Sequence, residues 1–134
     1  MYRHVFEREV ITNISGGGKH AAALGASGKV YVWGRQTSGM GELGLGTSSL
    51  FLQSPFPLCG MFEGKMRFSQ VVCGALSTAV VTADRQHIYM WGSRIGRGSP
   101  LVHPTLLCRL KDRWNVLQVF RFVFVFILIR FPFY

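Results

Sequence analysis

Residues 28–46 read Gly-Lys-Val-Tyr-Val-Trp-Gly-Arg-Gln-Thr-Ser-Gly-Met-Gly-Glu-Leu-Gly-Leu-Gly, a short aromatic segment followed by a series of glycines. The first half recurs at residues 87–92 as His-Ile-Tyr-Met-Trp-Gly. β-Branched and aromatic residues favour strands, and a glycine directly after such a segment is typical of a turn. The recurrence predicts that one structural unit occurs twice.

The repeat extends over most of the chain when the sequence is aligned with itself. Matching residues are separated by 57 positions in the first part of the unit and by 58 in the second: Ile11 and Phe68, Ile14 and Val71, Gly17 and Gly74, then Tyr31 and Tyr89, Trp33 and Trp91, Gly34 and Gly92. The offset changes at residues 84–86, where a turn between strands tolerates an extra residue. Repetition at this length indicates stacked units, as in a propeller or solenoid.

The first unit is predicted to contain three short strands, at residues 10–15, 20–25 and 29–33, with Gly or Ser-Gly at the breaks. Residues 28–46 are then the last strand and the turn of the unit. A sheet of three or four short strands cannot bury both faces alone and must pack against a neighbouring copy. Trp33 and Trp91 are predicted to end their strands and to fill the junctions between sheets. The fold class that follows is all-β.

Composition limits the class of protein. The 134 residues are 49% hydrophobic and include 16 glycines, which suits a folded chain with many turns. The net charge is +9, and residues 94–134 hold seven Lys or Arg against one acid, Asp112. The three cysteines are odd in number and widely spaced, so a reducing compartment is expected. Without a signal-peptide pattern, the expected location is the cytoplasm or nucleus.

The order of motifs resembles the regulator of chromosome condensation repeat. The resemblance rests on Gly17-x-x-His20, on Gly-Lys-Val-Tyr-Val-Trp-Gly at 28–34 and on Gly-Glu-Leu-Gly-Leu-Gly at 41–46. It implies a partial β-propeller with two blades and the start of a third, whereas seven blades close the ring in that family. The structural repeat positions it implies are Gly17, His20, Trp33, Gly34, Gly44, Gly46, Gly74, Trp91 and Gly92.

The departures from the family pattern include two positions within the repeat motifs. Glu42 stands where the family has Gln, and Ser77 stands in the second copy where His is expected. The unit boundaries predicted from the repeat are a lead-in at 1–9, blade 1 at 10–66, a shortened blade 2 at 67–115, and an aborted third repeat with a hydrophobic tail at 116–134.

The tail allows three interpretations. Residues 122–129 are uninterrupted apolar residues, and residues 116–134 include Arg121 and Arg130. The segment is compatible with a membrane anchor, with a strand buried on both faces, and with a non-native ending that replaces the rest of the third repeat. The last interpretation is favoured because the repeat breaks off within a motif.

No catalytic, cofactor-binding or metal-binding residues are predicted. Residues 39–44 satisfy Gly-x-Gly-x-x-Gly, but no helical pattern follows to hold a pyrophosphate, so a turn is expected there. The four histidines have no zinc-ligand spacing: His4, His20, His87 and His103. His20 is expected to hydrogen-bond backbone within its own blade, and Asp84 to belong to a turn.

The function predicted is therefore a non-enzymatic protein-interaction module, with a protein partner such as a small GTPase and no small-molecule substrate. The resemblance implies a finer hypothesis, a fragment of a guanine-nucleotide exchange factor for a Ran-like GTPase. Chromatin or nucleic acid is a further candidate partner through a loose basic region made of Arg94, Arg97, Arg109, Lys111 and Arg113. The alternative function is a membrane-associated protein held by residues 116–134.

Overall fold

Eight strands form two separate antiparallel sheets in the computed structural model, which describes residues 6, 8–36, 41–46, 50–58, 66–93 and 99–109. Blade 1 contains β1 (Ile11–Gly16), β2 (His20–Gly25), β3 (Val30–Gln36) and β4 (Leu50–Pro57). Blade 2 contains β5 (Phe68–Cys73), β6 (Ser77–Thr82), β7 (His87–Gly92) and β8 (Leu101–Arg109). Each sheet is a meander of four consecutive strands, which confirms the all-β, propeller-type prediction. The predicted third repeat and tail at 116–134 lie outside the described residues.

A fourth strand completes each blade, and here the prediction for residues 28–46 was wrong. These residues do not end blade 1, because β4 pairs with β3 on its outer side. Strand β4 contains Pro55 and Pro57. Proline cannot donate to a ladder, but β4 is an edge strand and needs hydrogen bonds on one side only. Pro104 lies in the outer strand β8 for the same reason.

The core lies between the two blades. Alternation along the strands directs one set of side chains from each sheet into this contact. Blade 1 contributes Ala22, Leu24, Val30 and Val32, and blade 2 contributes Phe68, Val71, Val80 and Trp91, joined by Leu43 and Leu58. All of these residues are at most 5% exposed, so the sheets pack face to face as the repeat predicted.

The face of blade 2 that points away from blade 1 is also apolar and buried. Ala79, Val81, Ile88 and Met90 are each at most 2% exposed and lie outside the cluster that joins the blades. Two of the pairs in this face, Ala79 with Met90 and Val81 with Ile88, are cross-strand neighbours. Blade 2 therefore has two apolar faces, as expected of a unit with a neighbour on both sides.

Part of the predicted lead-in packs on the outer face of blade 1. The Phe6 ring lies edge-on to the rings of Tyr31 and Trp33, with centroids 5.3 and 6.0 Å away. The Glu9 carboxylate accepts hydrogen bonds from the Tyr31 hydroxyl at 2.7 Å and from the Ser27 backbone N–H at 2.6 Å, and it also bonds the Ser27 hydroxyl. Tyr31 is fully buried as a result.

Candidate functional site

The contact between the blades is centred on His20, the first residue of β2. Its imidazole is 4% exposed, and its Nε2 lies 2.9 Å from the Thr78 hydroxyl and 3.2 Å from the Ser77 carbonyl oxygen. Both partners are on β6, so this histidine bonds across the junction. The expectation of a hydrogen bond within the blade was wrong, because the side chain alternates onto the face that meets blade 2.

The hydrogen-bond pattern determines the protonation of this imidazole. The Thr78 hydroxyl donates its one proton to the Glu42 carbonyl oxygen at 3.0 Å, so it accepts from His20. The neutral ring therefore carries its proton on Nε2, and the Ser77 carbonyl shares it. The other nitrogen, Nδ1, is buried, and none of the described residues forms a hydrogen bond with it. Burial lowers the pKa of His20; the charge of Glu42 and the bond to Ser77 act in the opposite direction without cancelling that shift.

Trp91 closes the junction from blade 2. It is fully buried, and its indole N–H donates to the Glu42 carbonyl oxygen at 2.8 Å. The backbone oxygen of Glu42 thus receives two donors from blade 2, Trp91 and Thr78. Trp91 thus lies in the junction between the blades, and its indole pairs its polar atom there, as expected when it fills a buried contact.

The glycine-rich loop at 41–46 runs from blade 1 onto blade 2. A Cβ at Gly44 would lie 2.9 Å from the Trp91 ring, and φ at Gly44 is +70°. A Cβ at Gly41 would lie 2.7 Å from the Leu101 carbonyl oxygen, and a Cβ at Gly46 would overlap the His103 ring. These glycines allow the loop to touch blade 2, and the next described element is strand β4. The loop fits the predicted turn of the repeat.

The other predicted repeat positions serve the blade backbones. Gly17 and Gly74 make equivalent turns, with their N–H groups donating to the carbonyls of His20 and Ser77 at 2.8 and 2.9 Å. Gly34 and Gly92 have φ of +108° and +99°, in the left-handed region that favours glycine. The positions found by resemblance thus lie at the turns, at the strand ends and in the junction.

Trp33 departs from the prediction. Its strand continues to Gln36, and its side chain is half-buried beside Phe6 instead of between the two blades. The physical reason is the direction of alternation. Tyr31 and Trp33 point toward the side on which a preceding unit belongs, as Tyr89 and Trp91 point toward blade 1.

A second candidate surface lies at the end of the blades where the β2–β3 and β6–β7 turns meet. Arg67 connects these turns: the Phe68 N–H donates to the Gly28 carbonyl, and the Ala83 N–H donates to the Arg67 carbonyl, both at 2.9 Å. The Arg67 guanidinium donates to the Ser27 carbonyl at 2.6 Å. We call this surface the basic end; its exposed cations are Arg8, Lys29, Arg67, Arg85 and Arg109.

Two acids near the basic end are engaged in hydrogen bonds. Asp84 accepts from the Thr82 hydroxyl at 2.5 Å and from the Gln86 N–H at 2.9 Å, which confirms its predicted turn role. These bonds lower the pKa of Asp84. Burial by itself raises the pKa of Glu9, but the hydrogen bonds from Ser27 and Tyr31 outweigh it and hold this pKa below its usual value. Hydrogen bonds thus stabilise both carboxylates as anions, Asp84 in the β6–β7 turn and Glu9 in the lead-in.

The basic end differs from the basic region predicted from sequence. Only Arg109 of that region falls within the described residues. The cations of the basic end are far apart in the chain, so only the pairing of strands and turns brings them together. The contact of Glu9 with Tyr31, 22 residues apart, has no sequence signal either.

The described part of the chain contains neither a metal-binding cluster nor a membrane-spanning helix. Across residues 6, 8–36, 41–46, 50–58, 66–93 and 99–109, no group of three or more His, Cys, Asp or Glu side chains could hold a metal ion. Over the same residues, no helix is long and apolar enough to cross a membrane.

Comparisons with known proteins agree with the geometry. Two family models, both described as the regulator of chromosome condensation (RCC1) repeat, match residues 11–39 and 27–81. The chain is 35% identical over 82 residues to the ultraviolet-B receptor UVR8 of Arabidopsis thaliana, covering 61% of this chain and 17% of the receptor. It is 37% identical over 89 residues to the human E3 ubiquitin-protein ligase HERC2, covering 61% of this chain and 2% of the ligase.

Solved structures share the fold. Prp20p from Saccharomyces cerevisiae superimposes with a TM-score of 0.60 at 19% identity, covering 81% of this chain and 27% of Prp20p. The chain thus spans about a quarter of that structure and a smaller share of the two relatives. The two family models together cover residues 11–81, which is 71 of 134 residues and more than half of the sequence. With the repeated blades and the cross-blade contacts of His20 and Trp91, these matches show that the chain belongs to the regulator of chromosome condensation (RCC1) repeat family.

Proposed function

We propose that this chain is a non-enzymatic protein-interaction module of the RCC1 type and that its basic end contacts an acidic surface of a partner protein. The single observation that carries the proposal is the convergence of five exposed Lys and Arg side chains on one end of the two blades. Propellers commonly use the loops at one end for recognition, because a rigid sheet positions them.

The charge balance of the basic end favours an acidic partner. Five cations stand against two carboxylates, which leaves a formal charge of +3, and both carboxylates already accept hydrogen bonds from the protein itself. Arginine contributes four of the five cations, and its guanidinium matches a carboxylate in a bidentate way. Such a surface accelerates association and selects partners by charge more than it adds affinity.

A protein is favoured over a nucleic acid because apolar surface lies close to the cations. Val10, which directly precedes β1 beside Arg8 and Glu9, is 70% exposed. Phe56, near the end of β4 at the same end of the sheet, is 45% exposed. Exposed apolar groups within a charged rim are typical of protein interfaces, whereas nucleic-acid contacts are dominated by the phosphates.

Charge reversal tests this surface. The double variant Arg85→Glu with Arg109→Glu changes two exposed cations of the basic end. Its matched control, Lys19→Glu with Arg35→Glu, makes the same charge change at the opposite end, where the Arg35 N–H bonds the Lys19 carbonyl. We expect the basic-end variant to bind a fluorescein-labelled oligoglutamate peptide at least about tenfold more weakly and the control to change binding little.

A short DNA duplex, measured in the same buffers, distinguishes the two classes of partner. The proposal is supported if oligoglutamate binds and only the basic-end variant loses it. It is wrong if both variants lose equal affinity, or if the duplex binds more tightly than the peptide and is the ligand lost on reversal of the basic end.

Exchange activity on a small GTPase is the finer hypothesis. Prp20p, which has the same fold, is described as binding Gsp1p and histones, so this fold can engage protein partners. We rank a general interaction module above an exchange factor, because two blades are a small part of such a propeller. Nucleotide release from a Ran-type GTPase tests it, and no acceleration at micromolar protein removes it.

Cytoplasmic or nuclear localisation follows from the proposed role, and membrane attachment through residues 116–134 is the alternative. A fusion protein with the whole chain and one that ends at residue 115 separate the two. The alternative requires the whole chain to pellet with membranes and the shorter one to stay in the supernatant. If the whole chain remains in the supernatant without detergent, the anchor hypothesis is wrong.

A further inference from the structure

At the His20 contact, a buried titratable ring joins the two blades. The ring is on β2, its partners Ser77 and Thr78 are on β6, and the sequence separation is 57 and 58 residues. The equivalent of His20 in blade 2 is Ser77, so the second copy of the unit does not carry this imidazole. The junction between blade 1 and blade 2 therefore contains a titratable imidazole that the equivalent position of blade 2 does not supply.

The unpartnered nitrogen makes this contact sensitive to a proton. With Nε2–H directed to Thr78 and Ser77, Nδ1 presents a bare lone pair in a buried site. The Nδ1–Cε1 edge of the ring lies against the backbone of Gly17, because a Cβ at Gly17 would overlap both atoms. A proton from solvent added at Nδ1 creates a buried cation whose new N–H has no acceptor within hydrogen-bond distance in the described residues.

We propose that His20 is an acid sensor of the blade junction, and that protonation of its Nδ1 opens the contact between β2 and β6. The opening releases the bonds that Thr78 and Trp91 make to the Glu42 carbonyl, since those bonds depend on the same close approach. It also separates the blade 1 part of the basic end from the blade 2 part. The inference does not rest on the proposed partner.

The elements packed against the His20 ring carry other ionisable groups. Glu42, in the 41–46 loop, is fully buried, and its charge favours the imidazolium form of His20. Cys73, in β5, has its pKa raised by burial to about 11, so its thiol stays neutral in the relevant range. Lys19 and Arg35 are exposed cations beside the start of β2, and burial and Glu42 have larger effects on the pKa of His20 than these solvated charges.

The direction of the pH effect follows from the geometry and agrees with the lowered pKa of His20. The folded junction holds the neutral ring, whereas an opened or unfolded chain takes up a proton near the ordinary value of 6.5. The stability that His20 contributes is therefore present above 6.5 and is lost as the pH falls below that value toward the folded pKa. One proton gives about a tenfold change in the open population per pH unit in this range.

The experiment measures opening at the junction itself. The Trp91 indole N–H is buried and bonded to Glu42, so its hydrogen-exchange protection, followed by NMR on the full chain, reports the contact. We expect protection to fall about tenfold per pH unit below about pH 6.5. His20→Gln keeps a donor near Nε2 without the titration, and its protection should not fall. His87→Gln, at the start of β7 and at the other end of the blade from His20, should behave as the unmodified chain.

Two further measurements test the tautomer of His20 and the effect of the Glu42 charge on it. Imidazole ¹⁵N shifts of the unmodified chain should show an Nε2–H tautomer for His20, and an Nδ1–H tautomer overturns the proposal even if His20→Gln does not fold. Glu42→Gln should leave the onset near pH 6.5 and extend the loss of protection to lower pH, because the folded pKa of His20 falls further without the carboxylate while the opened chain still takes up its proton near 6.5. If Glu42→Gln abolishes the acid effect, or His20→Gln retains it, His20 is not the sensor.

Discussion

The two blades present equivalent faces to a preceding unit, and among the residues that the structure describes a sheet closes the face of blade 2 alone. In blade 2 the face carries Val71 and Trp91, which are 1% and 0% exposed against blade 1. In blade 1 the equivalent residues are Ile14 and Trp33; Ile14 is 62% exposed and Trp33 is half-buried. The same sequence pattern thus gives two levels of burial.

The difference shows what a neighbouring blade supplies. At the closed face, the Glu42 carbonyl in the loop at 41–46 accepts a hydrogen bond from Trp91, and β5, which carries Val71, contacts β1 and β2. At the other face, Phe6 and Glu9 cover the outer half and leave Ile14 open. Side-chain burial in a repeat protein therefore depends on the neighbour more than on the repeat sequence.

The largest effect on stability is expected at the two equivalent tryptophans, Trp91 and Trp33. Trp91→Ala removes a fully buried ring and its hydrogen bond, and should lower the free energy of unfolding by about 4 kcal/mol. Trp33→Ala, at a half-buried ring, should cost about 1–2 kcal/mol. Urea denaturation followed by circular dichroism measures both, and equal losses would contradict the assignment of Trp91 to the junction.

A smaller effect is expected at the inner strands. Val71→Ala opens space in the core between the blades and should cost about 2 kcal/mol. Ile14→Ala, at the equivalent but exposed position, should change stability by less than about 0.5 kcal/mol. The same urea assay applies. If Ile14→Ala lowers the free energy of unfolding as much as Val71→Ala does, the blade 1 face that carries Ile14 is covered in solution.

A substitution at Glu9 measures how much the lead-in contributes to stability through its contacts with blade 1. Glu9→Gln weakens the bonds to Ser27 and Tyr31 and should cost about 1 kcal/mol at neutral pH. Because the folded pKa of Glu9 lies below its ordinary 4.5, its contribution is present above that value and is lost as the pH falls below it.

The control for this prediction is Tyr31→Phe, which keeps the ring against Phe6 and removes one donor to the carboxylate. Its cost should be smaller than that of Glu9→Gln. Thermal melts at several pH values compare the variants with the unmodified chain. A stability difference for Glu9→Gln that persists unchanged in strong acid contradicts the role of the carboxylate.

The smallest effect concerns the two equivalent turns of the blades. Gly28 and Arg85 both have positive φ, +89° and +61°, and both donate their N–H across the turn. Arginine is strained there and glycine is not, so Arg85→Gly should raise stability by about 1 kcal/mol. Arg85→Ala keeps the strain and is the control. Calorimetric melting should show a gain for the glycine variant only.

The sequence predicts most of the strands of the repeat but few of the contacts between its two copies. β2 occupies the predicted residues 20–25, because its breaks carry clear turn residues. β4 and β8 were missed because proline obscures edge strands. Self-alignment could show that His20 and Trp33 are repeat positions, but not which face of the sheet each occupies.

The candidate surfaces depend still more on three-dimensional pairing. The bond from His20 to Thr78 joins residues 58 apart, and Arg67 meets Ser27 across 40 residues. No local pattern encodes such contacts, since the partners of each bond lie on different strands or turns. Glu42 was noted only as a departure from the family glutamine, and its burial at the junction emerges from the packing of the loop on blade 2.

The order of strands in each sheet has a consequence for how such chains change over evolutionary time. Both sheets of the described residues are assembled from four strands that follow one another in the sequence, and no strand is exchanged between them. A duplication or deletion whose two boundaries each lie in a connection between blades, such as the one between Pro57 and Phe68, therefore adds or removes whole sheets and leaves no strand without its partners. What changes at such an event is the number of faces that need a neighbour, and a short segment such as Phe6 with Glu9 is enough to shield part of one.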